Sequence, residues 1–170
     1  MKSHERYRWA AGILDIRSDD NILEFGCGVG LAVEAIVPLL KKGVITAIDR
    51  SPLAIARAIQ RNVDAVKLGK VKLLKAELLG FTNEGIKYNK AFCFNVNFFW
   101  TNKSLEKECK HIRSLLKKGG LVYIFYGPLI GKGFESRLQL ISQNLEKENF
   151  EVVQSFYAER IRCCCIVARP

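Results

Sequence analysis

The chain has 170 residues, 49% of them hydrophobic and 26% charged, which is the size and composition of one globular domain covering residues 1–170. No apolar stretch approaches the roughly 18 to 20 residues that cross a bilayer, so we expect a cytoplasmic protein without membrane contact. Twenty-seven basic residues against 17 acidic ones give a net charge of +10, which leaves RNA open as a partner, although a solvated basic surface also explains the charge.

Apolar runs of strand length alternate with longer segments of helical periodicity, which is the pattern of strands joined by crossover helices. The predicted strands are 21–25, 44–48, 71–75, 91–95, 121–126, 150–155 and 161–168. The predicted helices are 4–16, 31–40, 52–63, 105–116 and 134–148. This alternation predicts a parallel sheet covered by helices on both faces, without a second domain.

The first 18 residues are predicted to form a helix that packs on the domain or folds over the mouth of its site. Tyr7 and Leu14 lie at helical spacing on one face of this segment. Arg6, Arg8 and Trp9 on the same helix would then be within reach of a ligand.

Local signals predict several helix ends. Ser51 followed by Pro52 predicts a helix start, with serine at the N-cap and proline at the first helical position. Ser104 is the predicted N-cap of a later helix. The sequence Leu-Lys-Lys-Gly-Gly at 116–120 is predicted to end that helix as a loop. Pro38 predicts a kink or an early end in the helix that contains it.

The first predicted strand leads into Glu24 to Gly30, E-F-G-C-G-V-G, and a helix follows at once. Glycines here permit backbone angles that other residues avoid, and they remove side chains that would hold a ligand away from the main-chain N–H groups. Such a loop at the carboxyl end of a parallel strand has the geometry of a nucleotide site. The alternative is a tight strand-to-helix turn without a ligand.

Asp49 ends the second predicted strand, nineteen residues after Gly30. An acid at this position can accept hydrogen bonds from both hydroxyl groups of a ribose. The loop and the acid together predict a nucleoside cofactor. The alternative is that Asp49 helps to cap the helix that begins near Ser51.

The spacing of the glycines discriminates between nucleoside cofactors. A dinucleotide fingerprint G-x-G-x-x-G counted from Gly26 requires a glycine where the chain has Leu31. The chain also lacks the sequence G-x-x-x-x-G-K-[ST], which disfavours a nucleoside triphosphate. A nicotinamide oxidoreductase is therefore a disfavoured alternative.

At this point the sequence resembles the class I S-adenosylmethionine-dependent methyltransferases, whose first motif is E-x-G-x-G-x-G with an acid ending the second strand. The resemblance extends to I-D-R-S-P at 48–52, the strand at 88–97, the loop at 116–120 and a closing pair of strands. It implies a three-layer α/β sandwich with a Rossmann-like, seven-stranded, mostly parallel sheet whose last strand is antiparallel. The compact members without a separate substrate domain are most similar.

The resemblance implies S-adenosyl-L-methionine as the cofactor, S-adenosyl-L-homocysteine as the product, and no metal. It assigns cofactor contacts to Glu24, Gly26, Cys27, Gly28, Gly30, Asp49, Arg50, Ala76, Glu77 and Asn95. The glycine loop would hold the methionine part, Glu24 the loop and the amino-acid end, and Asp49 the ribose. After the third strand the family's aspartate-alanine pair is replaced by Lys75-Ala76, so the Ala76 N–H is expected to meet adenine, with Glu77 beside its exocyclic amine.

The resemblance places the methyl acceptor after the fourth strand, at 94–100, F-N-V-N-F-F-W. This segment has neither an N-P-P-Y or D-P-P-Y box nor a Pro-Cys pair, which disfavours two nucleic-acid methylation chemistries. The acceptor-site candidates are Asn97, Trp100 and Tyr126. The aromatic residues at 98–100 either wall an apolar pocket or belong to the core, and Tyr126 either lines the site or finishes its strand.

The sequence thus predicts a methyltransferase that acts on a small molecule. RNA and a protein side chain remain open as alternative acceptors. A non-catalytic or regulatory protein of the same fold that binds S-adenosylmethionine is another open alternative. No obligatory catalytic side chain follows, because an activated methyl donor needs mainly positioning. The six cysteines lack the spacing of a disulfide framework or a zinc site and are predicted to be buried.

Overall fold

The computed structural model describes residues 2–127 and 134–170. The strands in these ranges are β1 (Asn21–Phe25), β2 (Val44–Asp49), β3 (Val71–Lys75), β4 (Tyr88–Phe94), β5 (Leu116–Tyr126), β6 (Glu151–Ala158) and β7 (Cys163–Arg169). The helices are α1 (Lys2–Ile13), α2 (Leu31–Ile36), α3 (Pro52–Arg61), α4 (Val63–Lys67), α5 (Phe98–Thr101), α6 (Glu106–Leu115) and α7 (Phe134–Lys147).

Within the described ranges the strands form one seven-stranded sheet in the order β3-β2-β1-β4-β5-β7-β6. The pairs from β3 through β5 are parallel, whereas β7 runs antiparallel to both β5 and β6. This arrangement confirms the predicted fold. The strand order reverses between β1 and β4, and open parallel sheets bind ligands outside the carboxyl ends of the strands at such a point.

Two hydrophobic cores cover the two faces of the sheet. Alternate residues of β1 enter different cores, since Ile22 packs with α1 and α2, whereas Leu23 packs with α6 and α7. Leu14, which follows α1, lies in the first core and Leu145 of α7 in the second, and both are fully buried. The result is a three-layer sandwich with α1 and α7 on opposite faces.

The predicted loop at 116–120 is wrong, because β5 already begins at Leu116. Leu116 pairs with Tyr88, and the next pair in register joins Leu121 to Lys90, so the intervening residues form an irregularity within the strand. Gly119 takes a positive φ of 77° there. A bulge of this kind has the glycine and lysine content of a loop, which is why composition alone misplaced it.

Of the other three predicted helix ends, two follow their local signals. The Ser51 hydroxyl accepts a hydrogen bond from the Ala54 N–H at 3.2 Å, so the predicted cap is confirmed. Helix α2 ends at Ile36, and a 3₁₀ turn containing Pro38 follows, which confirms the early end. The N-cap of α6 is Leu105 rather than the predicted Ser104. The Ser104 hydroxyl accepts a hydrogen bond from the Glu106 N–H, but Ser104 lies one residue before the N-cap.

All six cysteines are buried and free, as predicted. Among the described residues, no cluster of three histidine, cysteine or acidic side chains is arranged to hold a metal ion. In residues 2–127 and 134–170, the helices are also too short or too polar to cross a membrane.

Candidate functional site

A cleft of about 570 Å³ opens at the carboxyl edge of the sheet where the strand order reverses. Its volume lies within the roughly 300 to 1,000 Å³ of small-molecule sites. Among the predicted site residues, the cleft is lined by Gly26, Asp49, Arg50, Ala76, Glu77, Asn95 and Asn97. Sequence reasoning missed the apolar wall residues Leu78 and Leu79, whereas Phe94 and Val96 belong to the predicted segment 94–100. The cleft therefore joins the ends of β1 to β4, as the loop and the acid predicted.

The glycine loop is shaped by three positive φ angles, 76° at Gly26, 54° at Gly28 and 76° at Gly30. A Cβ at Gly26 would lie 2.8 Å from the Val96 side chain, and one at Gly30 would lie 2.7 Å from the Asn62 amide. A Cβ at Gly28 would meet nothing within 4 Å. Two glycines thus permit close packing, while the middle one serves the backbone turn alone.

The backbone N–H groups of Gly26, Cys27, Gly28 and Gly30 are already engaged within the protein. Those of Gly26 and Cys27 donate to the Ile48 carbonyl oxygen at 2.8 and 3.0 Å, and that of Gly30 donates to the Cys27 oxygen at 3.0 Å. A phosphate site instead turns free N–H groups towards its ligand. The expectation that the glycines expose N–H donors is therefore wrong, and the loop offers a shaped surface that is not built for a pyrophosphate.

Asp49 holds the glycine loop against the start of α3. Its Oδ2 accepts the Gly28 N–H at 2.8 Å and its Oδ1 accepts the Ser51 N–H at 2.9 Å. The carboxylate is half-buried and lines the cleft, and each oxygen keeps a second lone pair for another donor. Asp49 therefore helps to order the start of α3, as one interpretation predicted. Its carboxylate also faces the cleft, where the other interpretation places a ribose.

Glu24 lies beneath the loop and is only 2% exposed. Its Oε2 is buried without a hydrogen-bond partner. Burial raises the pKa of this carboxyl well above its ordinary value, and the neighbouring charge of Asp49 raises it further. A cationic group in the cleft would relieve both effects.

Cys27 does not face the cleft. Its side chain is 7% exposed, and its Sγ lies 3.8 Å from the Gly28 carbonyl oxygen. Burial is the main reason that the pKa of its thiol is raised. The thiol is therefore a buried apolar packing group, and only the backbone of this residue shapes the loop.

The wall that follows β3 differs from the expectation for adenine. The Ala76 N–H was predicted to contact adenine. It donates instead to the Asp49 carbonyl oxygen at 3.1 Å and is not free for a ligand. The exposed Glu77 precedes a 3₁₀ turn, Leu78–Gly80, and both residues that begin this turn line the cleft. An apolar wall with one carboxylate thus stands where a backbone donor was expected.

Asn95 links the ends of β4 and β5. Its Nδ2 donates to the Gly127 carbonyl oxygen at 2.7 Å, and its Oδ1 accepts the Gly127 N–H at 2.9 Å. The residue has a φ of 53°, a left-handed conformation that asparagine tolerates better than most residues. Its amide was predicted to contact a ligand, but both of its ends already bind the backbone.

The aromatic residues after β4 divide between core and cleft. Phe99 is fully buried, and its carbonyl oxygen accepts from the Asn144 amide at 3.1 Å. Phe98 lines the cleft and stacks on Phe25 with ring centroids 6.4 Å apart. Each of the two interpretations of this segment is therefore correct for one of its residues.

Trp100 and Tyr126 lie beside the cleft rather than in its lining. Their ring centroids are 4.7 Å apart in an edge-to-face arrangement. The guanidinium of Arg137 lies over both rings, 5.5 Å from the Trp100 centroid and 5.1 Å from that of Tyr126, and it donates to the Tyr126 hydroxyl. Sequence reasoning missed Arg137, because nothing in the pattern of α7 distinguishes it from other exposed positions.

Helix α1 reaches the same edge from the other face of the sheet. Tyr7 packs edge-on against Phe94 of the cleft wall, with centroids 4.9 Å apart. Arg6 is half-buried, donates to the Tyr7 hydroxyl at 2.8 Å, and leaves its buried Nε without a partner. Arg8 is exposed on the outer side of the helix.

A family model described as a methyltransferase domain matches residues 22–120, more than half of the chain. The protein YrhH of Bacillus subtilis (strain 168), which carries a provisional methyltransferase name, is 28% identical over 155 residues. That alignment covers 91% of this chain and 81% of YrhH.

Several solved structures share the fold, among them two methyltransferases. One is magnesium protoporphyrin IX methyltransferase (ChlM) from Synechocystis PCC 6803 with bound SAM. Its alignment covers 98% of this chain and 79% of the ChlM chain, with a TM-score of 0.74 and 15% identity. The other is mitomycin 7-O-methyltransferase MmcR. Its alignment covers 99% of this chain and 54% of the MmcR chain, with a TM-score of 0.77 and 13% identity. At these identities the likeness is one of fold.

Proposed function

Because the chain belongs to the methyltransferase-domain family, we propose that it transfers the methyl group of S-adenosyl-L-methionine to a small-molecule acceptor. The observation that carries this proposal is the cleft at the reversal of strand order, which is lined by Asp49 and by Gly26 of a loop whose glycine N–H groups are already bonded. A nucleoside without phosphates suits such a loop better than a dinucleotide does.

Each part of the cofactor has a matching feature in the cleft. The unpartnered Oε2 of Glu24 suits the ammonium group of the methionine part, which would offset the burial of that carboxyl. The remaining lone pairs of Asp49 suit the ribose hydroxyls. We assign the adenine ring to the apolar wall of Leu78 and Leu79, with Glu77 as acceptor for its exocyclic amine.

The bound cofactor supplies a methyl group on a sulfonium that is already activated for in-line displacement. The chain's own contribution is positioning. Asp49 holds the loop by accepting the Gly28 N–H at 2.8 Å. Asn95 ties the end of β4 to Gly127 after β5. These bonds fix the positions of the two sides of the cleft. Holding two reactants in line is worth about 7 to 11 kcal/mol of the barrier in well-oriented systems.

A small molecule is the proposed acceptor because aromatic side chains border the side of the cleft that follows β4. Phe98 lines it, and the Trp100 and Tyr126 pair adjoins it. Two structures of the same fold, ChlM and MmcR, are named for methylation of magnesium protoporphyrin IX and mitomycin, which are small molecules. The net charge of +10 is the one feature that favours RNA instead.

Calorimetry tests the cofactor. We expect binding of S-adenosylmethionine and S-adenosylhomocysteine and none of NAD. Asp49→Ala should weaken S-adenosylhomocysteine binding by about 1.5 to 3 kcal/mol, because charge-assisted bonds to the ribose and the tie to the loop are both lost. Asp64→Ala removes the same charge from the exposed first turn of α4 and should change nothing. An unchanged dissociation constant for Asp49→Ala would refute the ribose assignment.

Transfer of a tritiated methyl group tests the acceptor class. A cell extract separated into RNA, protein and small-molecule fractions is incubated with the enzyme and labelled S-adenosylmethionine. We expect the label in the small-molecule fraction. Label in RNA, together with RNA binding that weakens steeply as salt rises, would replace this acceptor by RNA.

A further inference from the structure

Trp100, Tyr126 and Arg137 form a compact surface cluster, called here the arginine cluster, next to the acceptor side of the cleft. Trp100 belongs to α5, whose first turn starts from the cleft residue Asn97 through a 3.0 Å hydrogen bond. Tyr126 is the last residue of β5 and precedes Gly127, which the cleft residue Asn95 binds. Three elements therefore bring the cluster to the edge where the acceptor enters.

The charge of Arg137 is not matched by a carboxylate. Its hydrogen-bond partner is the neutral hydroxyl of Tyr126, and no ion pair within the described chain includes it. Residues 128–133 read P-L-I-G-K-G and contain no acid that could pair with it. Glu135, two residues earlier on the same helix, forms no ion pair with it in the part of the chain that the structure describes.

The aromatic rings hold the guanidinium in a fixed orientation. Arg137 lies 5.5 and 5.1 Å from the centroids of Trp100 and Tyr126, within the distance at which a cation is attracted by an aromatic ring. A planar guanidinium held in this way loses little further rotational freedom when it binds a carboxylate with two parallel hydrogen bonds. Arg137 as a whole is exposed to solvent.

A second arginine without an acidic partner lies at the same edge. Arg6 of α1 is half-buried, its Nε has no hydrogen-bond partner, and its neighbour Glu5 is paired with Arg160 instead. Burial raises the pKa of the Cys163 thiol, and the nearby Arg6 charge offsets part of this rise. Cys163 packs against Gly127, where an added Cβ would lie 2.6 Å from its Sγ. Positive charge therefore approaches this edge from both faces of the sheet.

We propose that the methyl acceptor is an anionic small molecule and that Arg137, oriented by Trp100 and Tyr126, binds its carboxylate. The proposal rests on the proposed methyltransferase function and adds the chemical class of the acceptor. A neutral molecule of the same shape leaves the charge of Arg137 unmatched and gains none of the paired hydrogen bonds. An amine or other cation is repelled by both arginines.

Ligand-observed NMR on the protein loaded with S-adenosylhomocysteine tests the proposal, with benzoate as the probe and benzamide as its uncharged counterpart. We expect benzoate to bind at least about 10-fold more tightly than benzamide. Arg137→Gln should abolish this preference, and Arg137→Lys should restore only part of it because an ammonium lacks the planar fork. Lys147→Gln removes the same charge from the exposed last turn of α7 and should leave the preference intact.

Calorimetry of S-adenosylhomocysteine on the same variants separates the possible failures. An unchanged cofactor affinity in Arg137→Gln, together with a lost benzoate preference, supports the proposal. Equal binding of benzoate and benzamide to the wild type overturns it, and so does a preference that survives Arg137→Gln. A loss of cofactor affinity in that variant would show that the bound carboxylate is the cofactor's own. If the wild type does not bind S-adenosylhomocysteine, the proposed function itself fails.

Discussion

The two halves of the cleft differ in what satisfies their polar groups. In the cofactor half, formed by the glycine loop, Asp49 and Ala76, nearly every polar atom is tied to another part of the same chain. In the proposed acceptor half, Asn97 lines the cleft and is exposed, whereas Trp100, Tyr126 and Arg137 adjoin it. No ion pair among the described residues includes the arginine. In the proposed assignment, the backbone shapes the surface that meets the cofactor, whereas side chains form the surface that meets the acceptor.

Glycine substitutions give the largest expected effect, because they test whether the cofactor half depends on backbone shape. Gly30→Ala places a Cβ 2.7 Å from the Asn62 amide and 3.0 Å from Ala58, at a φ of 76°. We expect a loss of about 2 to 4 kcal/mol in the free energy of unfolding, from backbone strain and overpacking together. Urea denaturation measures it.

Gly28→Ala is the matched control, because its φ is also positive but its Cβ would meet nothing within 4 Å. Its loss should be about 1 to 2 kcal/mol, which is the strain alone. Equal losses at the two positions would mean that the close approach of α3 to the loop contributes nothing to the shape of the cofactor half.

This contrast also explains how much of the molecule could be predicted from its sequence. The cofactor half depends on short-range signals, so the loop, Asp49 and the strands at 21–25 and 71–75 were found with their correct limits. The acceptor half joins α5, β5 and α7, which are distant in the chain. No periodicity or motif links Arg137 to Trp100, and only the packing of α7 on the sheet brings them together.

The errors inside the cofactor half have a different origin. A glycine pattern predicts the path of the backbone but not the partners of its N–H groups, so the bonds to Ile48 were missed. The same is true of Ala76, whose N–H is turned towards Asp49 by the continuing register of β2 and β3. Hydrogen-bond partners across strands follow from tertiary register, which a single sequence does not specify.

The pH dependence of stability tests the buried acid of the cofactor half. The pKa of Glu24 is raised in the folded protein, chiefly by burial, above the ordinary value of 4.5. The folded state therefore binds the proton more tightly than the unfolded state does, and this stabilisation is lost as the pH rises from 4.5 through the raised pKa. We expect the free energy of unfolding without cofactor to fall by about 1.4 kcal/mol per pH unit in that window.

Glu24→Gln should remove this slope, because the amide does not titrate. Denaturation series from pH 4 to 8 on both proteins measure the difference. The variant should also bind S-adenosylhomocysteine more weakly, since an amide attracts an ammonium group less than a carboxylate does. Parallel pH profiles for the two proteins would show that another group is responsible.

The smallest expected effect is at Asn95, which lies between the two halves. Its variants test which half this residue belongs to. Asn95→Ala removes two hydrogen bonds to Gly127 and leaves a less tolerant residue at a φ of 53°, so we expect a loss of about 1 to 2 kcal/mol in stability. Asn95→Asp keeps the bond accepted from the Gly127 N–H and should lose less. If the residue serves only to join β4 to β5, the affinity for S-adenosylhomocysteine stays within about twofold in both variants, whereas the preference of the arginine cluster for benzoate weakens. A drop in cofactor affinity that exceeds the loss of stability would instead place Asn95 among the cofactor contacts, as its sequence position predicted, and would extend the cofactor half to β4.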